Sequence, residues 1–456
     1  MAKWLVGNRF SRWVLAKSIK QAEVALAILG GRTTGTVWQR VYASLFGFVL
    51  RIFMSSAGVP WAEVRKSLAD PGIARCFMIV TKSLAKYGYN TPIIVTAPFS
   101  VVFNLTNRCN LLCQHCFQKA SIQEKDMMTK QQKLSIIDQL NQAGTAAITF
   151  SGGEPLMSDD FWEIAGYASS KGIFVSIDTN GTLIDNAVAS KLVEFGVHYA
   201  QVSIDSPDPS EHDRFRGKDG AFELSMNGVA AMKSVGMYLS MGVTLTAFNA
   251  DKIDQFIELA KKNRFDRIVF YHLIPVGRGE SVKNLDLTPE KRAQVMGKLA
   301  NIYDPDLEIL SETPHYATET AKNKDKVPQK LPDSNCFPIT SFFNMGRERQ
   351  YMRALRFVFG GCPAGRLYAN IQPNGDLTPC MFSPFYPVVG NLTKQTLEQA
   401  WNGFAFLWDR GKLKGICGNC KHKVECGGCR ARAAGMGDAL GPDYGCYTKK
   451  YMEALK

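Results

Sequence analysis

The sequence lacks an uninterrupted apolar run of about 18 residues, the length that a membrane-spanning helix needs. Its most apolar stretch, residues 41–59, is broken by Arg51. The first 28 residues hold no compact apolar segment followed by a small-residue cleavage site, so we expect no signal peptide and a cytoplasmic location. In a reducing compartment, the twelve cysteines are more typical of metal ligation than of disulfides.

Acidic residues are scarce at the start of the chain. Residues 1–100 hold 13 Lys/Arg and 3 Asp/Glu, and so carry most of the formal net charge of +13. Trp and Phe alternate here with Arg and Lys, which predicts a basic amphipathic helical extension over 1–95. Two interpretations stay open: a helical extension packed on the next domain, or helices at the surface of an anionic membrane through residues 1–60. The remainder is nearly neutral and holds no RNA-binding motif, which argues against a nucleic-acid partner.

A length of 456 residues, with 46% apolar and 21% charged residues, indicates a globular protein of two or three domains. From residue 96, short apolar runs alternate with helical stretches such as 130–142 and 251–262. This alternation predicts an α/β fold, a parallel sheet or partial (β/α)6 TIM-type barrel over 96–303, with chemistry at the C-terminal ends of the strands. A linker over 304–355 and a Cys-rich segment over 356–456 follow. The predicted strands are 99–105, 146–150, 174–177, 199–204, 239–245 and 268–273.

Three cysteines follow the first predicted strand in the order CxxxCxxC: Cys109, Cys113 and Cys116. A zinc site would need a fourth ligand, and His115, adjacent to Cys116, is poorly placed to supply it. A cubane iron–sulfur cluster normally takes four Cys, so three leave one iron open to a small molecule. A structural zinc site stays as the alternative.

A second motif follows the next predicted strand. Gly152, Gly153, Glu154 and Pro155 form a GGEP turn, in which the glycines allow close backbone approach and the carboxylate suits an ammonium group. Alone, this turn would be a weak signal. About forty residues beyond CxxxCxxC and at the end of the next strand, it becomes a strong one.

The two motifs together resemble the radical S-adenosylmethionine (radical SAM) enzymes over about residues 96–280. The resemblance implies that Cys109, Cys113 and Cys116 hold a [4Fe–4S] cluster whose open iron binds S-adenosylmethionine, which is cleaved to a 5′-deoxyadenosyl radical. His115 would lie beside the adenine. Residues 274–278 would also lie near the adenine, and residues 212–217 resemble a loop of one branch whose role, structural or direct, stays open. The implied cofactor-binding residues are His115, Gly152, Gly153, Glu154, Pro155, Thr179, Asn180, Ser203 and Asp205.

The C-terminal cysteines resemble the SPASM extension of that family, which carries auxiliary [4Fe–4S] clusters. The last pair is separated by two residues where the common pattern has three, so its register is open. By resemblance, one set of cysteines completes a distal cluster: Cys417, Cys420, Cys426 and Cys446. A second set holds a proximal cluster: Cys362, Cys380 and Cys429. Cys336 is either the eighth ligand or a free thiol, Cys76 is a packed residue, and a pair of zinc sites is the alternative for the whole segment.

The sequence therefore predicts an enzyme, an oxidoreductase or a C–C or C–S bond-forming type, that removes hydrogen from an unactivated carbon. A ferredoxin- or flavodoxin-type protein would supply the electron. The basic aromatic extension favours the hydrocarbon chain of a membrane lipid as substrate. Maturation of a peptide or protein, by cross-linking or side-chain oxidation, is an alternative. A membrane-docked iron–sulfur electron carrier is an alternative of another class.

Overall fold

A computed structural model of the chain describes residues 8–56, 59–121, 127–322, 360–382 and 388–448. Ten strands of this part form one sheet in the order β10-β9-β8-β1-β2-β3-β4-β5-β6-β7. Strands β8 and β1 to β7 pair in parallel, whereas β9 and β10 pair antiparallel. The strands are β1 Ser100–Thr106, β2 Ala147–Gly152, β3 Phe174–Thr179, β4 Val197–Ser203, β5 Tyr238–Leu245, β6 Arg267–His272, β7 Glu308–Ser311, β8 Tyr368–Ile371, β9 Asp376–Thr378 and β10 Gly390–Asn391.

Helices connect each of the parallel strands β1 to β7 to the next, as βαβ units require. Helix α6 (Lys130–Ala143) illustrates why these helices begin and end where they do. The Thr129 hydroxyl and the Gln132 side chain form a capping box at its start, and Gly144 ends it in the left-handed conformation. The helices are α1 Arg9–Lys17, α2 Ile19–Leu29, α3 Val37–Ser56, α4 Trp61–Leu68, α5 Pro71–Tyr87, α6 Lys130–Ala143, α7 Phe161–Ser170, α8 Asn186–Glu194, α9 Pro209–Arg216, α10 Ala221–Ser234, α11 Ile253–Lys262, α12 Pro289–Asn301, α13 Pro314–Lys322, α14 Leu397–Asn402, α15 Ala405–Trp408, α16 Gly415–Gly418 and α17 Arg430–Gly435.

The sheet curls around an interior cavity. Alternate residues of β1, β2, β3 and β4 line this cavity, and so does Tyr271 of β6, five places from β1 in the sheet. The intervening side chains, such as Phe103 and Ile148, are buried in the main hydrophobic core. All six predicted strands are present, and their ends differ from the prediction by no more than two residues. The prediction of an α/β fold with a parallel sheet is confirmed.

The N-terminal helices form their own small core. Ala22, Leu26, Val64 and Leu68 are buried in it. Helix α5 joins this core to the main one, since Cys76 and Ile79 belong to the main cluster. Cys76 is therefore a packed residue. Among the described residues, no helix is both long and apolar enough to cross a bilayer.

The C-terminal third contributes to the main sheet and core. Strand β8 pairs with β1, and Trp401, whose indole Nε1 donates to the carbonyl of Val95 at 2.8 Å, is fully buried in the main core. The linker predicted over 304–355 begins with strand β7 and helix α13, while residues 323–359, including Cys336, lie outside the described residues. The boundaries of the four predicted domains stay predictions.

Candidate active site

The CxxxCxxC loop lies at the C-terminal end of β1 and is held from three sides. The backbone of Cys109 donates to the carbonyl of Ser121 at 3.0 Å. The backbone of Leu112 donates to the carbonyl of Arg216 at 3.1 Å, at the end of α9. Arg278 donates through Nε to the carbonyl of Cys113 at 2.9 Å. These contacts place the three thiols in the wall of one cavity.

The two glycines of the GGEP turn are required by backbone contact with this loop. Gly152 has φ +137°, and a Cβ there would lie 2.4 Å from the carbonyl oxygen of Thr106. A Cβ on Gly153 would lie 2.0 Å from the carbonyl oxygen of Arg108. The Gly153 and Glu154 amides donate to those same two carbonyls, each at 2.7 Å. The glycines thus join two strand ends, and both also line the thiol-lined cavity.

Glu154 is buried and its carboxylate braces the end of the third strand. It accepts hydrogen bonds from the Thr179 hydroxyl at 2.8 Å and from the Asn180 amide at 2.9 Å. Burial raises the pKa of Glu154 to about 7, although these hydrogen bonds lower it. Glu154 does not line the cavity. Its contacts fit a residue that positions the cavity-lining Thr179 and Asn180.

His115 is fixed by stacking and by a buried charge pair. Its ring stacks on Phe215 with centroids 4.5 Å apart, and its Nε2 lies 3.5 Å from the carboxylate of Asp205. Arg216 Nη2 lies 2.7 Å from the same carboxylate. Burial lowers the pKa of His115 to about 4, so the ring is neutral near pH 7. The His115 Nδ1 atom is buried without a hydrogen-bond partner in the described structure, which fits a ring that still awaits a ligand.

The structure brings most of the predicted cofactor-binding residues to the thiol-lined cavity. Three do not line it: Glu154, Pro155 and Asp205. Pro155 is the buried first residue of a short 3₁₀ helix. Asp205 instead contacts His115 and Arg216, which both line the cavity. Those that line the cavity are His115, Gly152, Gly153, Thr179, Asn180 and Ser203.

The donor set fits an iron–sulfur cluster with bound S-adenosylmethionine better than a single metal ion. Among the described residues, no group of three or more His, Cys, Asp or Glu side chains converges closely enough to hold one ion. A cubane instead spreads its thiolates over separate irons. Burial raises the pKa of Cys109 to about 12, so this side chain is a thiol without iron and loses its proton when it binds iron.

Two arginines that the sequence analysis did not assign belong to this site. Arg216 Nη1 lies 3.8 Å from the Cys113 sulfur, and Arg278 donates to the cysteine loop. Both line the cavity. Arg216 falls in the segment 212–217, predicted as a loop but helical in α9 up to Arg216, and Arg278 falls in the segment 274–278, so the sequence analysis had singled out both segments. Only the fold shows which side chain of each faces the thiols.

Four C-terminal cysteines surround a second cavity. They are Cys417, Cys420, Cys426 and Cys446, the set predicted for a distal cluster. Backbone amides donate to their sulfurs: Gly428 to Cys426 at 3.3 Å and Asp443 to Cys417 at 3.4 Å. Such N–H to sulfur contacts stabilise cluster ligands and tune reduction potential. Four thiols around one cavity fit a fully ligated cubane.

The other three cysteines face the barrel interior. Cys362, Cys380 and Cys429 line the cavity around which the sheet curls. This division places Cys429 apart from Cys426 despite their proximity in sequence, as the two predicted ligand sets do. The barrel cavity shares Asp178, Gln201, Tyr271, His272, Ile274, Met381 and Phe382 with the thiol-lined cavity of the first motif. A substrate in the barrel cavity would therefore lie between the cysteines of the CxxxCxxC loop and the three proximal cysteines.

The barrel cavity holds two carboxyl groups with little to neutralise them. Asp178 and Glu312 line it, and no Lys or Arg does among the described residues. Burial raises the pKa of each to about 7, and Glu312 further raises that of Asp178. Tyr271 is also in the wall and donates to Gln201 Oε1 at 2.8 Å. The wall of the barrel cavity is rich in aromatic residues, and the carboxyl groups of Asp178 and Glu312 provide hydrogen-bond acceptors within it.

Two family profiles match the chain. Residues 103–260 match the radical SAM superfamily, and residues 362–429 match the SPASM family, described as an iron–sulfur cluster-binding domain. The first match spans the CxxxCxxC loop and the GGEP turn. The second begins at Cys362 and ends at Cys429.

The names of individual relatives refer to different molecules. An AdoMet-dependent heme synthase of Methanosarcina barkeri is 29% identical, over 76% of this chain and 95% of that protein. The mycofactocin maturase MftC of Mycolicibacterium smegmatis is 28% identical, over 77% of this chain and 83% of that protein. Among solved structures, Streptococcus suis SuiB bound to its precursor peptide SuiA has a TM-score of 0.61 at 15% identity, covering 90% of this chain and 89% of that one.

Proposed function

Because this chain is a radical SAM enzyme with a C-terminal SPASM domain, we propose that it removes hydrogen from an unactivated carbon of a peptide or protein substrate. The electron-carrier interpretation is wrong, since the chain is an enzyme. Its cofactors are a [4Fe–4S] cluster, S-adenosylmethionine and auxiliary iron–sulfur clusters, which also excludes the zinc alternatives. When bound, the cluster and S-adenosylmethionine supply the 5′-deoxyadenosyl radical that abstracts hydrogen.

The residues at the first motif divide into holding and positioning roles. Cys109, Cys113 and Cys116 would hold the cluster. Thr179 and Asn180, braced by Glu154, would contact S-adenosylmethionine. Arg216 places a positive charge beside Cys113 and orients Asp205. His115, stacked on Phe215, presents a neutral ring to the cavity.

The carboxyl groups of the barrel cavity carry the substrate proposal. A hydrocarbon chain would offer no hydrogen-bond donor to the buried carboxyl groups of Asp178 and Glu312, which costs free energy. A carboxylate-rich substrate would meet two like charges with no Lys or Arg in the described wall. Peptide N–H groups or an amine side chain would donate to these acceptors. The name of a relative that is 26% identical over 74% of this chain, the PqqA peptide cyclase of Xanthomonas oryzae pv. oryzae, also supports a peptide substrate.

The proximal cysteines favour an oxidative or bond-forming outcome. Cys362, Cys380 and Cys429 line the same cavity as the carboxyl groups. A cluster held there would lie beside a substrate radical and accept the electron that radical must lose to become a closed-shell product. The proposed reaction is therefore a cross-link or a side-chain oxidation.

A second candidate is the hydrocarbon chain of a lipid. It is favoured by the apolar side chains that the N-terminal helices expose, Trp38 at 82% above all. The cavity does not favour it, for the reason given above.

Deuterium transfer tests the proposal. Source cells are grown in D2O, their extract is separated into peptide and lipid fractions, and each is incubated with reduced enzyme and S-adenosylmethionine. We expect deuterium in 5′-deoxyadenosine from the peptide fraction, and a modified peptide by mass spectrometry. Transfer only from the lipid fraction would establish the second candidate instead. Transfer from neither fraction would overturn both.

Two variants test whether the carboxyl groups bind the substrate. In Glu312→Gln, 5′-deoxyadenosine formation without substrate should stay at the wild-type level, because Glu312 lines the barrel cavity but not the thiol-lined cavity. Asp178 lines both cavities, so deuterium transfer in Asp178→Asn is compared per 5′-deoxyadenosine formed. Deuterium transfer from the peptide fraction should fall by tenfold or more, on the order of one or two lost charge-assisted hydrogen bonds. Equal transfer in both variants and wild type would remove the argument from the cavity.

A further inference from the structure

Helix α3 exposes an apolar stripe on the side that faces away from the protein. Five of its residues form this stripe, and each side chain is about half exposed or more: Val37 64%, Trp38 82%, Val41 47%, Leu45 65% and Phe48 65%. Val49 extends it at 48%. At 3.6 residues per turn these six positions fall within an arc of about 120°. The solvent-facing side of a helix in a globular protein is normally polar, whereas this exposed arc is apolar.

The opposite side of α3 is already occupied. Ala43 and Gly47 are buried against α2, and a Cβ on Gly47 would lie 2.9 Å from the Leu29 side chain. Met54 is buried in the small N-terminal core. The helix is thus apolar on both sides, with one side packed on protein. The exposed stripe cannot turn inward without losing that packing.

Cations flank the stripe, and acids are absent from the helix. Arg40 and Arg51 are exposed, and neither forms a salt bridge within the described part of the chain. Helix α1 repeats the pattern. Phe10 and Trp13 stack with centroids 6.2 Å apart and are 73% and 58% exposed, with Lys17 on the same side. Arg12 holds α1 in place by donating to the carbonyl of Ala85 at 3.2 Å.

We propose that the exposed sides of α3 and α1 dock this enzyme on an anionic membrane surface, with the helices parallel to it. Trp and Phe would enter the boundary between headgroups and acyl chains, and Arg and Lys would contact lipid phosphates. The proposal does not rest on the identity of the substrate. It applies equally to an enzyme that modifies a peptide at the membrane.

A second copy of the chain fits this surface less well. In a two-fold contact between α3 helices, each partner presents the same Arg40 and Arg51. No acid of α3 would neutralise them, because residues 37–56 contain none. Anionic phosphates supply the opposite charge that a second copy lacks.

Flotation with vesicles tests the proposal on the full-length, cluster-loaded protein, without turnover. Wild type should float with phosphatidylcholine vesicles containing phosphatidylglycerol, and much less with phosphatidylcholine alone.

Trp38→Gln/Phe48→Gln should bind about tenfold more weakly, since two large apolar side chains are lost from the interface. Arg40→Gln/Arg51→Gln should lower the affinity for the anionic vesicles about fivefold per cation removed, and should not change binding to phosphatidylcholine alone. Met436→Gln is the matched control, because Met436 is also a large apolar residue exposed at 64%, and it lies outside the N-terminal helices.

Iron content and melting temperature should match wild type in all three variants, since every changed side chain is exposed. Sedimentation without vesicles should show the same oligomeric state throughout. The proposal is overturned if wild type does not bind anionic vesicles, or if Trp38→Gln/Phe48→Gln binds them as well as wild type does. It is also overturned if wild type is a dimer that this double variant dissociates, which would assign the surface to a second copy.

Discussion

Arg216 lies between a proposed cluster ligand and a buried acid: its Nη1 is 3.8 Å from the sulfur of Cys113, and its Nη2 is 2.7 Å from the carboxylate of Asp205. Asp205 is fully buried, and Arg216 is the largest of the causes that keep its pKa below the usual range despite burial. One guanidinium thus neutralises two groups that would otherwise repel each other.

Arg216→Gln should therefore destabilise the fold. It leaves Asp205 as a buried charge without its guanidinium partner, which costs about 3–5 kcal/mol of unfolding free energy. Asp205→Asn/Arg216→Gln should recover a large part, because the stranded charge is gone. Denaturant unfolding of the four proteins in the cycle measures both effects. Additive losses in the double variant would show that the pair is not coupled.

Gly153→Ala should displace the CxxxCxxC loop. The new Cβ would meet the carbonyl oxygen of Arg108 at 2.0 Å, and backbone cannot move aside as a flexible side chain can. We expect the cluster of the first motif to be lost, which means about four irons fewer per chain. Gly297→Ala is the control, since a Cβ there meets nothing within 4 Å inside helix α12, and it should be neutral or stabilising by up to about 1 kcal/mol. Equal iron content in both variants would contradict the assignment.

The central strands and the cysteine groups were predictable because their signals are local. Strands β1 to β6 are mostly buried along their length and rich in apolar residues, so each can be recognised from its own segment of sequence. Strands β7 and β8 were missed because each is four residues long, and each is a strand by virtue of a distant partner. Strand β8 pairs with β1 from more than 260 residues away, and no local pattern encodes that pairing.

The site shows the same division between local and distant information. Spacing identified Cys109, Cys113 and Cys116, but it did not show that Glu154 faces Asn180 rather than the cavity. The carboxyl group of Glu312 was also missed. It follows β7 in a segment read as a linker, and reaches the cavity only because β7 pairs with β6.

Stability should fall as the pH rises from about 5 to about 8. The pKa values of Asp178 and Glu312 are raised to about 7 in the folded chain, against about 4 in the unfolded chain. The folded chain therefore binds these protons more tightly, and the stabilisation present below about pH 4 is lost as the pH passes through 7.

Glu312→Gln should flatten that dependence and be more stable than wild type at pH 8, by up to about 3 kcal/mol. Melting temperatures of both proteins across this pH range test the expectation. Comparing the two cancels any effect of pH on the clusters themselves. Parallel curves would show that Glu312 does not titrate in this range.

Asp443→Asn should lower the auxiliary iron content. The Asp443 carboxylate accepts from the Cys429 amide at 2.7 Å and from the Gly445 amide at 2.8 Å, next to Cys446. It thus connects the proximal and distal cysteine groups. Iron analysis should fall from about twelve atoms per chain toward about four. Asp438→Asn, which breaks only an exposed pair with Lys414, should keep full iron, and equal iron in Asp443→Asn would contradict the role.

Removal of iron should unfold only the last part of the Cys-rich segment. The Trp401 indole is fully buried in the main core with Phe404, so residues 360–413 are held by apolar packing as well as by ligands. Residues 414–448 contribute few large buried apolar side chains and depend on their cysteines. In the iron-free protein, limited proteolysis should therefore cut between 414 and 448 first and leave the Trp401 region protected. Early cleavage around Trp401 would show that the clusters, and not the core, hold the whole segment.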